Sequence, residues 1–449
     1  MQFDRSGIVA GGIVLSMGSL VLAGDIKNGD DIQAAIDDAV AGEVIQIPAG
    51  VYPVFQTIDL RGKQIVLQGE IDEAGAPLTT LDGRDSIRIM DCVSGETANT
   101  RILNLVLSAG RAFKGGGMRV VDSAPVLENC VFLQNHSEQV CTFCPPGQEA
   151  GAADGGAMWI KDGSPTLLNC AFRGNSGLSG GGVWAEGSVL RLQEAEFDGN
   201  VASDFGGGIH ALESELRVEG GVFSNNNSGE TGGAIDFAGT SLDGEDATFI
   251  GIRFESNMAS SSGGGVSVFS SGEVSFEGVD CLGNESGGRG GALHLVVDGD
   301  GSLQILDGEL MSNQSVDRGG AVFIKSHIPQ EPLVEGCRFE GNITRSQGSA
   351  VFYSGDLRIG DSVICGNEVL PQLAPEEGWT DLGGNDISTE CEGRSCPADF
   401  NGDGIVNGSD LAFLLGEWGS SNPDMDISGN GLVDGADLAY LLGTWGDCS

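Results

Sequence analysis

A two-part phrase recurs nine times between Gly115 and Asn367: a Gly-Gly-small opening, then a close on Asn that usually reads Phe-x-x-Asn. The closing asparagines are Asn135, Asn175, Asn200, Asn226, Asn257, Asn284, Asn313, Asn342 and Asn367, separated by 40, 25, 26, 31, 27, 29, 29 and 25 residues. A period in this range marks a solenoid whose units stack on their neighbours. Aligned on the glycines, Met158, Val183, Ile209, Ile235, Val266, Leu293, Val322 and Val351 share one register, and a second apolar column lies two residues on. Period-two alternation over short β-branched segments means strands, and residues one repeat apart would pair in parallel. A second strand per repeat carries the column Leu127, Leu167, Leu192, Val218, Phe249, Phe276, Ile305, Val334, Ile359. Five residues later comes the column Phe132, Phe172, Phe197, Phe223, Phe254, Cys281, Leu310, Phe339, Ile364. The glycines supply positive φ between strands. The asparagine is expected to tolerate a left-handed turn and to bond neighbouring backbone. The predicted fold class is all-β: coils of about 27 residues stacked as a parallel β-helix, rising roughly 4.8 Å per coil.

On these motifs the chain, from Gly24 to Cys391, resembles the right-handed parallel β-helix proteins of the pectate-lyase-like superfamily. Within it, the paired Gly-Gly-Ala-Ile and Phe-x-x-Asn motifs are similar to the repeats of chlamydial polymorphic outer membrane proteins. That resemblance implies a fold which hosts lyases, hydrolases and adhesins alike, so it selects no activity. The catalytic patterns of its enzymes do not transfer: His210 sits in Gly-Ile-His-Ala, and Asp30-Asp31 and Asp37-Asp38 belong to an N-terminal helical segment. No catalytic residue is assigned.

Residues 1–23 hold an apolar run ending Val21-Leu22-Ala23, read as a secretory signal peptide, with an anchor helix as the rival reading. Asp31 to Val40 has helical spacing and would cap the open first coil, which in a solenoid must be shielded from edge pairing. Eleven cysteines point to an oxidising compartment. Cys130, Cys170 and Cys337 nevertheless share an inward register and read as small core residues, whereas Cys141 and Cys144, in an insertion near Ser137 to Asp154, suit a loop disulfide. A net charge of −43 with 22 Lys and Arg disfavours nucleic acid and bare polyanionic glycans.

The outward column between the two apolar registers reads Arg119, Trp159, Trp184, His210, Asp236, Ser267, His294, Phe323, Phe352. Trp159, Trp184, His210 and Asp236 are the candidate substrate-binding residues. Aromatic rings in a row suit stacking on sugar faces, and His210 beside Asp236 would hold a polarised imidazole. Good strand formers on a half-exposed sheet would look the same.

After Pro371 to Glu390, read as the end of the solenoid, the grammar changes. Asp399, Asn401, Asp403, Ile405, Asn407 and Asp410 stand at loop positions 1, 3, 5, 7, 9 and 12, with Gly404 at position 6 and an apolar helix after them. Asp426, Ser428, Asn430, Leu432, Asp434 and Asp437 repeat the pattern 27 residues later. Oxygen ligands at these spacings are what Ca²⁺ and its sharp turn demand, with Ile405 and Leu432 giving backbone carbonyls. A helix following each loop and Asp at position 12 make residues 391–449 similar to a type I dockerin. The resemblance implies two Ca²⁺ ions and a cohesin-like partner, although positions 10 and 11, Gly408-Ser409 and Gly435-Ala436, depart from the usual hydroxyl pairs. Cys396 and Cys448 bracket this module.

The expected domains are a signal peptide (1–23), a β-helix (24–390) and a dockerin-like module (391–449). Two functions compete: a secreted or surface-attached protein whose β-helix binds polysaccharide or a cell surface, or a polysaccharide lyase or glycoside hydrolase. No transmembrane barrel follows the repeats.

Overall fold

The computed structural model describes residues 20–22, 28–138, 153–239, 245–368, 371–375, 378–391, 398–401, 405–420, 422, 425, 427–428 and 431–447. The chain divides into two units, Met1–Ile387 and Ser388–Ser449. The first is a parallel β-solenoid of about 12 turns.

Every alternating column of the sequence is a ladder of the structure. Met158, Val183, Ile209 and Ile235 are successive partners in a 12-stranded parallel sheet, here called the front sheet, running from Ile58–Asp59 to Leu373–Ala374. The other two columns form two rows of a 25-stranded sheet, joined where Val189–Asp198 and Glu215–Ser224 run straight through both. A third, nine-stranded ladder of two-residue strands closes each coil, from Arg111–Ala112 to Ile343–Thr344. The irregular segment between Val44 and Gly110 contributes coils in the same sheets. The segment after Pro371 also keeps pairing, Leu357–Ile359 with Trp379–Asp381, so the solenoid outlasts its sequence repeat.

The phenylalanine column stacks down the core, with Phe132, Phe172, Phe197 and Phe223 spaced 4.7, 4.4 and 4.6 Å between ring centroids. Cys92, Cys130, Cys170, Cys281 and Cys337 are buried free thiols, and burial pushes Cys92, Cys170, Cys281 and Cys337 above the ordinary thiol range, which leaves them unreactive. Cys365 and Cys391 are disulfide-bonded. Cys141, Cys144, Cys396 and Cys448 lie outside the described residues.

The asparagines corner each coil, but not by the expected route. The left-handed residue is the one before: Gln134, Gly174, Gly199, Asn225, Ser256 and their equivalents have φ near 50–60°. The turn thus frees the asparagine to point inward, fully buried, and bridge coils. Asn257 Nδ2 donates to Phe223 O (2.8 Å) and Asn284 Oδ1 (3.0 Å), while its Oδ1 accepts from the N–H and Nδ2 of Asn226 (3.0 and 2.9 Å). The ladder runs unbroken from Asn135 to Asn367, where Gln372 Oε1 takes the last Nδ2 at 2.7 Å. The glycine pair has two separate reasons. Gly232 turns with φ +65°, and a Cβ on Gly233 would lie 2.1 Å from the Gly264 carbonyl of the next coil.

Helix α1 (Gly29–Asp38) covers the first coil, with Asn28 capping its N-terminus and Ile32 and Ile36 fully buried. Val40 stays exposed. Residues 1–19 of the leader segment lie outside the described residues, and Leu20–Leu22 pairs in parallel with Val44–Gln46. Among the described residues no helix is long and apolar enough to cross a membrane.

In the second unit, α2 (Gly408–Gly416) and α3 (Gly435–Gly443) start from matching capping boxes at Asn407 and Asp434. Among the described residues their shared core is Ala398, Val406, Leu414, Val433 and Leu441, with Leu411 and Leu438 partly buried. Leu415 and Leu442 are about half exposed. Two short helices joined edge to edge hide only one narrow stripe each.

Candidate functional site

The outward column survives in full as one ladder. Arg119, Trp159, Trp184, His210, Asp236, Ser267, His294, Phe323 and Phe352 are consecutive partners across the front sheet, extended backwards by Asp91 and Asp59. One side chain per coil therefore lines a straight track along the solenoid.

That track is not an open platform, which corrects the expected sugar stacking on Trp159 and Trp184. Stacking strands in register stacks their side chains, so the two indoles lie face to face, 5.2 Å apart and 3° from parallel. Lys114 Nζ covers the other face of Trp159 at 4.6 Å. Trp159 is 6 % and Trp184 7 % exposed, so a sugar meets ring edges and finds no free face there.

The covering residues form a second column. The residue five positions before each face residue sits just ahead of a positive-φ glycine and folds back over the track. Thr231 Oγ1 donates to Asp236 Oδ1 at 2.5 Å, and the Phe205 ring packs on His210 at 5.5 Å. Arg289 lies 5.1 Å over Phe323 and Arg318 4.9 Å over Phe352. Asp154 stands at the same position in the chain, five residues before Trp159 and just ahead of Gly155, which has φ +64°.

The polar centre of the track joins His210 and Asp236, as their register implied: Nδ1 lies 2.9 Å from Oδ2, with both side chains nearly buried. Asp236 thus fixes the imidazole orientation and leaves Nε2 for other work. Asp154 was missed by the sequence reading, which stopped at the insertion bordering it. It is 6 % exposed, its Oδ1 has no hydrogen-bond partner, and burial raises its carboxyl to about 6 against the opposing pull of His210, a Ser179 N–H and Lys114. Its signal was present, as a carboxylate standing five residues before a track tryptophan. Farther along, burial and Arg289 lower His294 to about 4, so that ring is neutral near pH 7 and its Nδ1 is unpartnered.

The raised Asp154 carboxyl has a stability consequence. An unfolded carboxyl ionises near pH 4 and this one near 6, so the folded state holds its proton longer. The resulting stabilisation is complete below about pH 4 and is lost as pH rises through 6. Asp154→Asn is therefore expected to melt higher than the parent at pH 8, with the gap closing below about pH 4. A gap independent of pH would show that Asp154 is not buried as a reluctant anion.

In the second unit, the position-12 carboxylates tie their loops together. Asp410 accepts from the N–H groups of Asn401 (3.1 Å) and Asn407 (2.9 Å), and Asp437 from those of Ser428 (2.8 Å) and Asp434 (2.7 Å). Burial works against the Asp437 charge, but the N–H groups of Asp434 and Ser428 outweigh it and hold the carboxyl below the usual range. Asp403, Asp426 and Asn430 lie outside the described residues.

No family model and no curated protein matches the chain. Among solved structures, it is similar to a PL6 family polysaccharide lyase from Pseudopedobacter saltans, 12 % identical, covering 83 % of this chain and 93 % of that one at a TM-score of 0.52. It also aligns with the A-module of a mannuronan C-5 epimerase from Azotobacter vinelandii (15 % identity, 82 % and 97 % coverage, TM-score 0.36). A surface adhesin of Streptococcus pneumoniae aligns at 12 % identity, 76 % and 86 % coverage and TM-score 0.37. The first of these establishes fold alone: the described residues of the first unit form a parallel β-solenoid like that lyase.

Proposed function

We propose that this is a secreted or cell-surface protein whose solenoid binds polysaccharide along the front sheet and whose C-terminal module is a calcium-dependent, dockerin-like tether. The observation that carries the binding role is the unbroken track from Arg119 to Phe352, one side chain per coil, which matches a linear polymer lying along the axis. The polar centre at His210, Asp236 and Asp154 provides the hydrogen-bonding groups such a ligand needs, and the tryptophans contribute edges.

The calcium role is supported by a charge argument. Between Cys396 and Ser449 stand nine Asp and Glu and no Lys, Arg or His. Asp410 and Asp437 are fully buried in this stretch, so the module offers no side-chain cation for them. Carboxylate oxygens that accept such N–H bonds can also ligate Ca²⁺, because each has more than one acceptor site. Asp399, Asn401, Asp403, the Ile405 carbonyl, Asn407 and Asp410 would hold one ion. Asp426, Ser428, Asn430, the Leu432 carbonyl, Asp434 and Asp437 would hold the other. Phe413, Leu415 and Trp418 on α2 and beyond, with their duplicates Tyr440, Leu442 and Trp445, are each 42–53 % exposed, an apolar surface suited to a cohesin-like partner.

A second reading, polysaccharide cleavage by a lyase or hydrolase, is favoured by one observation: a carboxyl poised near pH 6 beside an Asp-oriented histidine. A glycan array with chromatographic analysis of products separates the two. Retention of polysaccharide without new reducing or unsaturated ends supports binding alone, and no retention at all refutes the binding role.

A further inference from the structure

One run of rings on the track ends in the open. His294 stacks on Phe323 at 5.2 Å and Phe323 on Phe352 at 5.4 Å, the last two rings 6° from parallel. Arg318, which lies over Phe352, belongs like Phe323 to the coil before it. On the coil after, the front sheet ends with Leu373–Ala374, and the track position opposite Phe352 is Ala374. A methyl group does not cover a phenyl ring, so among the described residues the face of Phe352 turned away from Phe323 has no stacking partner. Phe352 is correspondingly half-buried, whereas Trp159, Trp184 and Phe323 are buried. It lines a cavity of about 700 Å³ together with Gln347, Ser354, Pro371, Ala374 and Pro375. Ligand sites run roughly 300–1,000 Å³, so this space is large enough for a sugar ring. Its walls are held in place: Tyr353 donates its hydroxyl to the Pro375 carbonyl at 2.9 Å, and the Gly348 N–H donates to the Pro371 carbonyl at 3.1 Å.

We propose that this cavity is a subsite that stacks one uncharged pyranose ring of a polysaccharide on the open face of Phe352. The C–H faces of a pyranose are flat and apolar and match a phenyl face, while the hydroxyls around the ring need partners at its rim. The Gln347 amide and the Ser354 hydroxyl, on exposed residues, can each donate and accept there. No described residue lining the cavity is charged, so a uronate carboxylate would enter without a cation to pair with, in a chain of net charge −43. The sugar stacking that the paired tryptophans forgo is thereby recovered at the end of the track, where in-register stacking runs out of rings. The subsite rests on the proposed binding role of the front sheet.

The test is affinity electrophoresis of the whole chain in gels containing soluble mannan, laminarin or alginate. Retardation is expected in at least one neutral gel and not in alginate. Phe352→Leu keeps an apolar side chain of similar bulk against Phe323 but removes the flat face, and it should weaken the retardation about tenfold. Phe352→Tyr keeps the face and should stay within about twofold of the parent. Phe352→Leu retarded like the parent in a neutral gel, or Phe352→Tyr losing as much as Phe352→Leu, would overturn the subsite while leaving the binding role standing. Retardation of the parent in alginate alone would overturn the uncharged-sugar assignment, and no retardation of the parent in any gel would overturn the subsite and the binding role together.

Discussion

In calorimetry of the whole chain, excess EGTA is expected to abolish the unfolding transition of residues 396–449 and leave that of the β-solenoid in place. The module has little to fall back on. Among the described residues its fully buried core is Ala398, Val406, Leu414, Val433 and Leu441, and several of its larger apolar side chains stay half exposed. Chains of this size bury too small a fraction of their surface to be stable without a staple. Against that core stand nine carboxylates with no basic side chain between Cys396 and Ser449. Repulsion among them rises as they converge, and a divalent cation removes it, so ion binding becomes folding free energy. Asp403→Ala should cripple the first loop, and Asn430→Ala the second less severely because the lost ligand is neutral. Acid should act in the same direction: the depressed Asp437 carboxyl contributes stability above the unfolded value near 4 that is lost as pH falls below it. The solenoid closes its hydrogen bonds coil on coil and is expected to stay folded under chelation. A low-temperature transition unshifted by chelation would remove calcium from the account.

Asn257→Ala is expected to cost about 3–5 kcal/mol, several times the worth of an ordinary hydrogen bond. Losing a single turn bond would cost only about 1–2 kcal/mol. The side chain makes four hydrogen bonds at a fully buried site, two donated and two accepted. Alanine would leave the Phe223 carbonyl, the Asn226 N–H and parts of the Asn226 and Asn284 amides unpaired between coils, where water does not reach. Each buried orphan costs about 1–3 kcal/mol, and partial relaxation keeps the sum below the simple total. The defect also interrupts a continuous ladder, so both neighbouring coils lose register support. Denaturant titration of the solenoid reads the loss directly. An unchanged midpoint would mean that the ladder is ornamental.

Much of this molecule follows from period alone. A repeat of about 27 residues with alternating apolar columns can bury those columns only by stacking in register, so the ladders from Met158 to Val351 and from Phe132 to Ile364 were legible in the sequence. The row from Arg119 to Phe352 was legible for the same reason, as was the pairing of His210 with Asp236, because neighbours in a column must be neighbours in space. What period could not supply was the side chains' surroundings. Register says that Trp159 and Trp184 leave the sheet on its outer side. Only the folded backbone shows that a column five residues upstream bends back over them and that in-register indoles consume each other's faces. The same holds for Asp154 and Asn257, whose weight comes from burial and from partners one coil away, distances that sequence separation hides. A repeat is a local pattern that dictates pairing, whereas enclosure depends on how unlike turns fold over a shared sheet, and that is decided in three dimensions.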